Sequence, residues 1–138
     1  MKINKRTAVV LSAAVICTGA FFACRTGSPV PEKEIRLESE YALEAWLNIK
    51  GWKVSSPIHT IITVPRKFSG IYAEYAQMQQ KLGLPVDKYK GQKADRYLFT
   101  VENYGGEVPV TAELLVKDDI LIGAALFENK PSGRILSP

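Results

Sequence analysis

Two cysteines, Cys17 and Cys24, and one histidine, His59, are all that this 138-residue sequence holds of those two residue types. Both cysteines lie in one apolar run near the N terminus, and none follows. They are two helical turns apart, about 10 Å along an axis, and residues 25–138 offer them no partner for a disulfide. The same absence makes a zinc site and a thiol nucleophile poor expectations. A single histidine excludes a His-rich metal centre. As a general base His59 would need a serine and an acid beside it, and Ser55 and Ser56 are too close in sequence to indicate one. Excess charge of one sign is also missing. The formal net charge is +4, but Lys2, Lys5 and Arg6 precede the apolar run; the 18 basic residues less these three leave 15 against 14 acidic, about +1. No nucleic-acid surface is expected from that balance. There is no internal repeat and no low-complexity tract.

What is present begins with an export signal. Lys2, Lys5 and Arg6 form a positive start, and Thr7 to Ala23 carries no charge. The positive end stays in the cytoplasm, so the remainder is expected outside. Three readings of residues 1–24 stay open. Ala23-Cys24 fits lipoprotein processing, with Cys24 as the lipidation site, although Phe21 and Phe22 depart from the usual pattern. Thr18-Gly19-Ala20 fits a general signal peptidase. The uncharged run is also just long enough to remain as a membrane anchor. The expected location is the extracytoplasmic face of the cell membrane, and residues 25–33, "RTGSPVPEK", read as a short linker.

Residues 34–138 read as a single α+β domain. Leu43, Trp46, Leu47 and Ile49 recur at helical spacing, extended by Ile35 and Ala42. This predicts a helix from Pro31 or Glu32 to Lys50, ended by Gly51. In "WKVSSPIHTIITVP" the period changes to two. Ile58, Thr60, Ile62 and Val64 share one side, His59, Ile61 and Thr63 the other, and Pro57 divides the stretch. Ser69 is the expected N-cap of a second helix carrying Ile71, Tyr72, Tyr75, Met78, Gln79 and Leu82, closed by Gly83. "LPVDKYKGQ" is a loop burying Leu84 and Tyr89. A β-meander then follows. Tyr97, Phe99 and Val101 alternate; Val108, Val110, Ala112, Leu114 and Val116 form the next inward row; Ile120, Ile122, Ala124 and Leu126 form the third. Gly105-Gly106, Asp118-Asp119 and Pro131-Ser132-Gly133 are the turns. The expected architecture is an antiparallel meander of three to five strands, covered on one face by two helices, in the order α-β-α-β-β-β.

Several stretches are familiar in this order: "LNIKGWKV", "ITVP", "IYAEYAQMQQKLGL", "DKYKGQKADRYLFTVENYGG" and "LLVKDDILIGAAL". The most specific piece joins Tyr89, Gly91, Arg96, Tyr97, Val101, Asn103 and Tyr104. From about Leu43 to Leu136 the chain resembles a family of small exported proteins of Gram-positive bacteria, the domain of unknown function numbered 4830. That family usually has a second glycine where Ala124 follows Gly123. The resemblance implies an envelope location and a domain extent, and no catalytic residues.

The remaining polar residues have bland readings beside sharper ones. Asp118-Asp119 reads as a turn rather than a calcium loop, which needs acids at alternate positions. Glu102, Glu107, Glu113 and Glu128 are the carboxylates a glycoside hydrolase would draw on, yet Glu102 and Glu113 fall on expected solvent faces. Lys88, Lys90, Lys93 and Arg96, interleaved with Tyr89 and Tyr97, read as a solvated loop or a patch for anionic lipid or wall polymer. The tyrosines are the candidate ligand or partner surface: Tyr72, Tyr75, Tyr89, Tyr97 and Tyr104, with Arg96 and Asn103. The expected function is a non-catalytic, membrane-tethered binding or regulatory module without cofactor. Its partner would be an envelope protein, a peptide or a wall polymer. A small envelope hydrolase using carboxylates is the alternative. Two carboxylates across a cleft would favour the hydrolase; an uncovered strand edge would favour binding by strand addition.

Overall fold

Ser39 begins the first helix. Its hydroxyl accepts the Ala42 N–H at 3.1 Å, and Glu40 follows in the first turn. In the computed structural model, which describes residues 33–138, helix α1 therefore spans Glu40–Ile49 rather than starting at Pro31 or Glu32. Those two residues, the linker before Lys33, Cys17, Cys24 and the whole leader lie outside the described residues. Residues 35–37 are extended instead of helical. Ile35 and Leu37 alternate around Arg36, the pattern of a strand, and Arg36 bridges to Ile120.

Strand β1 (Ile58–Thr63) begins directly after Pro57, and Val54 makes an isolated bridge to Val101 on the other side of that proline. Helix α2 (Ile71–Leu82) starts at Gly70 and not at Ser69, whose side chain makes no cap bond. Gly83 closes it in the left-handed region, at φ 73°. A 3-10 turn at Val86–Tyr89 leads into β2 (Lys93–Val101), β3 (Val110–Lys117), β4 (Ile120–Glu128) and a short β5 (Ile135–Leu136). Asp118 and Asp119 both have positive φ, 50° and 64°, which is the two-residue turn that suits the twist of an antiparallel pair.

The five strands form one antiparallel sheet whose spatial order is its chain order, β1-β2-β3-β4-β5. Residues Glu34–Pro138 form one compact unit around it. The two helices do not cover the same face, contrary to expectation, although Leu82 at the end of α2 reaches the α1-side cluster. Leu43 and Leu47 of α1 pack with Phe99, Ala112, Leu114 and Leu126. Tyr75 and Met78 of α2 pack with Ala94, Leu115, Ile122 and Ala125, which point the other way. The reason lies in β4. Its run "ILIGAALF" is apolar on both sides, so each side needs a cover. A bulge also divides the expected row: Leu115 opposes Gly123 while Val116 opposes Leu121. Ile120 and Ile122 consequently join the α2 side, and Leu121, Ala124 and Leu126 the α1 side.

The outer edge of β4 is closed by three different groups. Near its start, Leu37 donates to the Asp119 carbonyl and Leu121 donates to that of Ile35, both at 2.8 Å. Near its end β5 pairs with Leu126 and Phe127. Between them the Gln79 side chain takes the place of a strand: its amide donates to the Ala124 carbonyl and accepts the Ala124 N–H, both at 2.8 Å. Among the described residues no helix is long and apolar enough to cross a membrane.

Candidate functional site

The α2 side of the sheet is covered only in part. Opposed residues of an antiparallel ladder share a face, so Thr60, Arg96, Leu115 and Gly123 line up across it, with Glu113 in the neighbouring row. Helix α2 covers one end of these rows with Tyr75 and Met78. The other end opens into a cleft of about 440 Å³. Its walls are Ile62, Val64, Phe68, Ile71, Tyr72, Leu115, Phe127 and Ile135; its polar groups are Arg96, Glu113 and Tyr75. Lys90 lies 5.0 Å from the centre of the Phe68 ring, a cation over an aromatic face.

Arg96 and Glu113 are diagonal neighbours on adjacent strands. Arg96 Nε donates to Glu113 Oε2 at 2.7 Å. The arginine side chain is 37% exposed and the glutamate 10%, so the pair bridges solvent and interior. Burial pushes the Glu113 carboxyl above its ordinary range, and the Arg96 charge and hydrogen bond oppose that. This corrects the expectation of a solvent-facing Glu113. The strand does alternate, but its second side is a floor and not a surface.

Tyr75 is the third polar group. Its hydroxyl is buried and has no hydrogen-bond partner among the described residues. Burial holds its pKa far above the usual tyrosine range; nearby Glu113 adds to the effect and Arg96 opposes it. Gly123 makes room for it, since a Cβ at that position would collide with the hydroxyl. Leaving such a donor unpaired typically costs 1–3 kcal/mol. The cleft thus places apolar walls and the Arg96–Glu113 ion pair within one concavity, with the Tyr75 hydroxyl unpaired beneath its surface against Gly123. That chemistry suits an apolar group carrying a hydrogen-bond acceptor.

The seven residues singled out from the sequence separate. Tyr72, Tyr75 and Arg96 line the cleft, and Tyr89 packs into the core beside it. Tyr97 and Tyr104 belong to the α1 side. Tyr97 stacks under His59, ring centres 4.7 Å apart, and His59 bonds Asp95 at 2.8 Å. Tyr104 sits 6.1 Å from Trp52. The Asn103 amide is occupied by backbone, accepting from Lys53 N–H at 2.8 Å and donating to the Gly51 carbonyl at 2.9 Å.

Of the four carboxylates considered for hydrolysis, only Glu113 lines the cleft. Glu128 is buried on the α1 side, held by Arg134 at 3.0 Å and Lys130 at 3.4 Å. Those hydrogen bonds, Arg134's first, lower its pKa to about 2. Glu102 and Glu107 are exposed. No group of three or more His, Cys, Asp or Glu residues is placed to hold a metal ion among the described residues. The sequence offers Glu113 only as a solvent-facing carboxylate, not as a cleft floor, and gives no place to the apolar walls from Phe127 and Ile135. The available signal was β4 itself, apolar on both sides. No family model, no curated protein and no solved structure matches this chain.

Proposed function

We propose that this protein is a non-catalytic binding module held at the extracytoplasmic face of the cell membrane, and that the cleft between α2 and the sheet is its site. The location rests on the charged start and apolar run of residues 1–24, with Cys24 as the lipid attachment point. The binding role rests on one observation above the others: a buried, unpartnered Tyr75 hydroxyl beside an ion pair in an otherwise apolar cleft. Buried donors without a partner are uncommon in folded proteins, and of the two among the described residues, Trp52 Nε1 and the Tyr75 hydroxyl, only the second belongs to a residue lining the cleft. The apolar walls favour an aliphatic or aromatic portion of a peptide or envelope protein over a wall polymer, whose polar surface would gain little there.

The site is tested on residues 25–138 with N-phenyl-1-naphthylamine, a neutral apolar fluorophore. Saturable enhancement with one site per chain is expected, weakened at least fivefold by Ile135→Asp at the wall. Absence of saturable binding, or equal binding by the variant, removes the cleft as a site. The tether is tested by the intact mass of the protein from membranes. A diacylglyceryl group on residue 24 is expected, and an unmodified chain in the cytosol overturns it.

A further inference from the structure

The two edges of the sheet are treated differently. Every outward group of β4 named above is matched by a neighbour, whereas β1 has no backbone partner on its outer side among the described residues. Val64 donates to the Gln92 carbonyl at 2.8 Å, towards β2. By the alternation of an antiparallel ladder, the N–H and C=O groups of His59, Ile61 and Thr63 then point away from β2. Both sides of the strand are open beside them. Ile58 and Ile61, on opposite faces, are each 66% exposed. The strand "IHTIIT" holds no lysine, glutamate, aspartate or proline, the residues with which natural edges are protected against pairing.

Its pattern selects the partner. On the α2 face the strand reads Ile58, Thr60, Ile62, which is the same in both directions. An antiparallel pairing about a two-fold axis through Thr60 therefore sets Ile58 against Ile62, Thr60 against Thr60 and Ile62 against Ile58. On the other face His59 meets Ile61 twice. Matched β-branched and Thr–Thr pairs are favourable across strands, and no charge meets a like charge. In that register the outward groups of His59 and Ile61 bond those of Ile61 and His59 in the other copy, giving four backbone hydrogen bonds. A two-fold axis sets residue i against j and j against i whatever the sequence, so a second copy meets all of these matched pairs at once. We propose that β1 is the interface of a two-fold dimer, in which the β1 strands of two copies pair antiparallel about Thr60 and join two five-stranded sheets into one. This is independent of the cleft reading.

Thr60 faces itself in this arrangement as a non-hydrogen-bonded pair, with Cα atoms about 4.5 Å apart, inside the span of a disulfide. The test uses the full chain in membranes, oxidised with copper-phenanthroline and run without reductant. Thr60→Cys is expected to give an intermolecular dimer at least tenfold more abundantly than Thr63→Cys, which would lie about 20 Å from its counterpart at ~3.4 Å per residue. Cys17 and Cys24 contribute the same background to both. Adding Ile61→Pro, which deletes an outward N–H, or Ile61→Lys to Thr60→Cys should abolish the excess, with the circular dichroism of the purified chain unchanged. Equal cross-linking at positions 60 and 63, no dimer at 60, or cross-linking of 60 only to another protein overturns the proposal.

Discussion

The two faces of this sheet carry different work. On the α1 side Leu43, Leu47, Phe99, Ala112, Leu114 and Ala124 are all at 1% exposure or less, a closed apolar core with the unpaired Trp52 indole N–H and the Glu128 ion pairs at its margin. On the α2 side the same strands present an arginine and a glutamate to a half-open cleft, and Tyr75 of α2 buries an unpaired hydroxyl beside them. One face is a closed core; the other sets a second, smaller core beside an ion pair and a half-open cleft. Closed packing and open cleft are thereby separated by the thickness of one sheet, so substitutions on opposite sides of neighbouring positions should differ in kind and not only in size.

The largest effect is expected on the closed side. Phe99→Ala removes a fully buried ring and should cost about 4 kcal/mol in urea denaturation. A loss under about 1 kcal/mol would mean the α1 side is not the principal core. Next comes the edge that joins the faces. Gln79→Leu keeps the volume but leaves the buried N–H and C=O of Ala124 unmatched, at about 3 kcal/mol. Hydrogen exchange at Ala124 should accelerate more than at Phe99.

Smaller changes concern the cleft floor. Arg96→Met leaves Glu113 buried without its partner. Because Arg96 is itself over a third exposed, the expected loss is about 2 kcal/mol, below that of a fully buried pair. Its sign with pH is specific. The Glu113 carboxyl titrates above its ordinary value in the folded state, so the folded form holds its proton more firmly. Stability then falls as pH rises through and above 4.5, more steeply in Arg96→Met than in the parent. Glu128, on the other side, has the opposite sign. Its folded pKa of about 2 means its contribution is present above pH 4.5 and disappears as pH falls from there towards 2. Glu128→Gln should flatten that acid limb in a urea-midpoint series against pH and leave the Glu113 limb unchanged.

Much of the scaffold was legible in the sequence. Period-two runs placed all the main strands; Gly83 and Asp118-Asp119 marked their turns through the backbone geometry such residues tolerate. The helix start was misplaced because Pro31 and Glu32 are good first-turn residues while the Ser39 cap, eight residues on from Pro31, was overlooked. The division of the helices between two faces escaped for a different reason. Alternation predicts apolar-in and polar-out, and on that rule Glu113 faces water. The rule fails when the outward side is itself covered, as "ILIGAALF" indicated. Of the tyrosine set, helical spacing put Tyr72 and Tyr75 together correctly. Tyr97, Asn103 and Tyr104 were joined to them by sequence motif, and a sheet sends such a motif to the opposite side, two residues at a time.

The smallest expected shift bears most directly on the cleft. In Tyr75→Phe the unpaired hydroxyl is removed with the ring left in place, so the ligand-free chain should gain about 1 kcal/mol in urea denaturation. A loss of 1 kcal/mol or more would mean that the hydroxyl is already satisfied within the protein, and would contradict a site held open for a ligand.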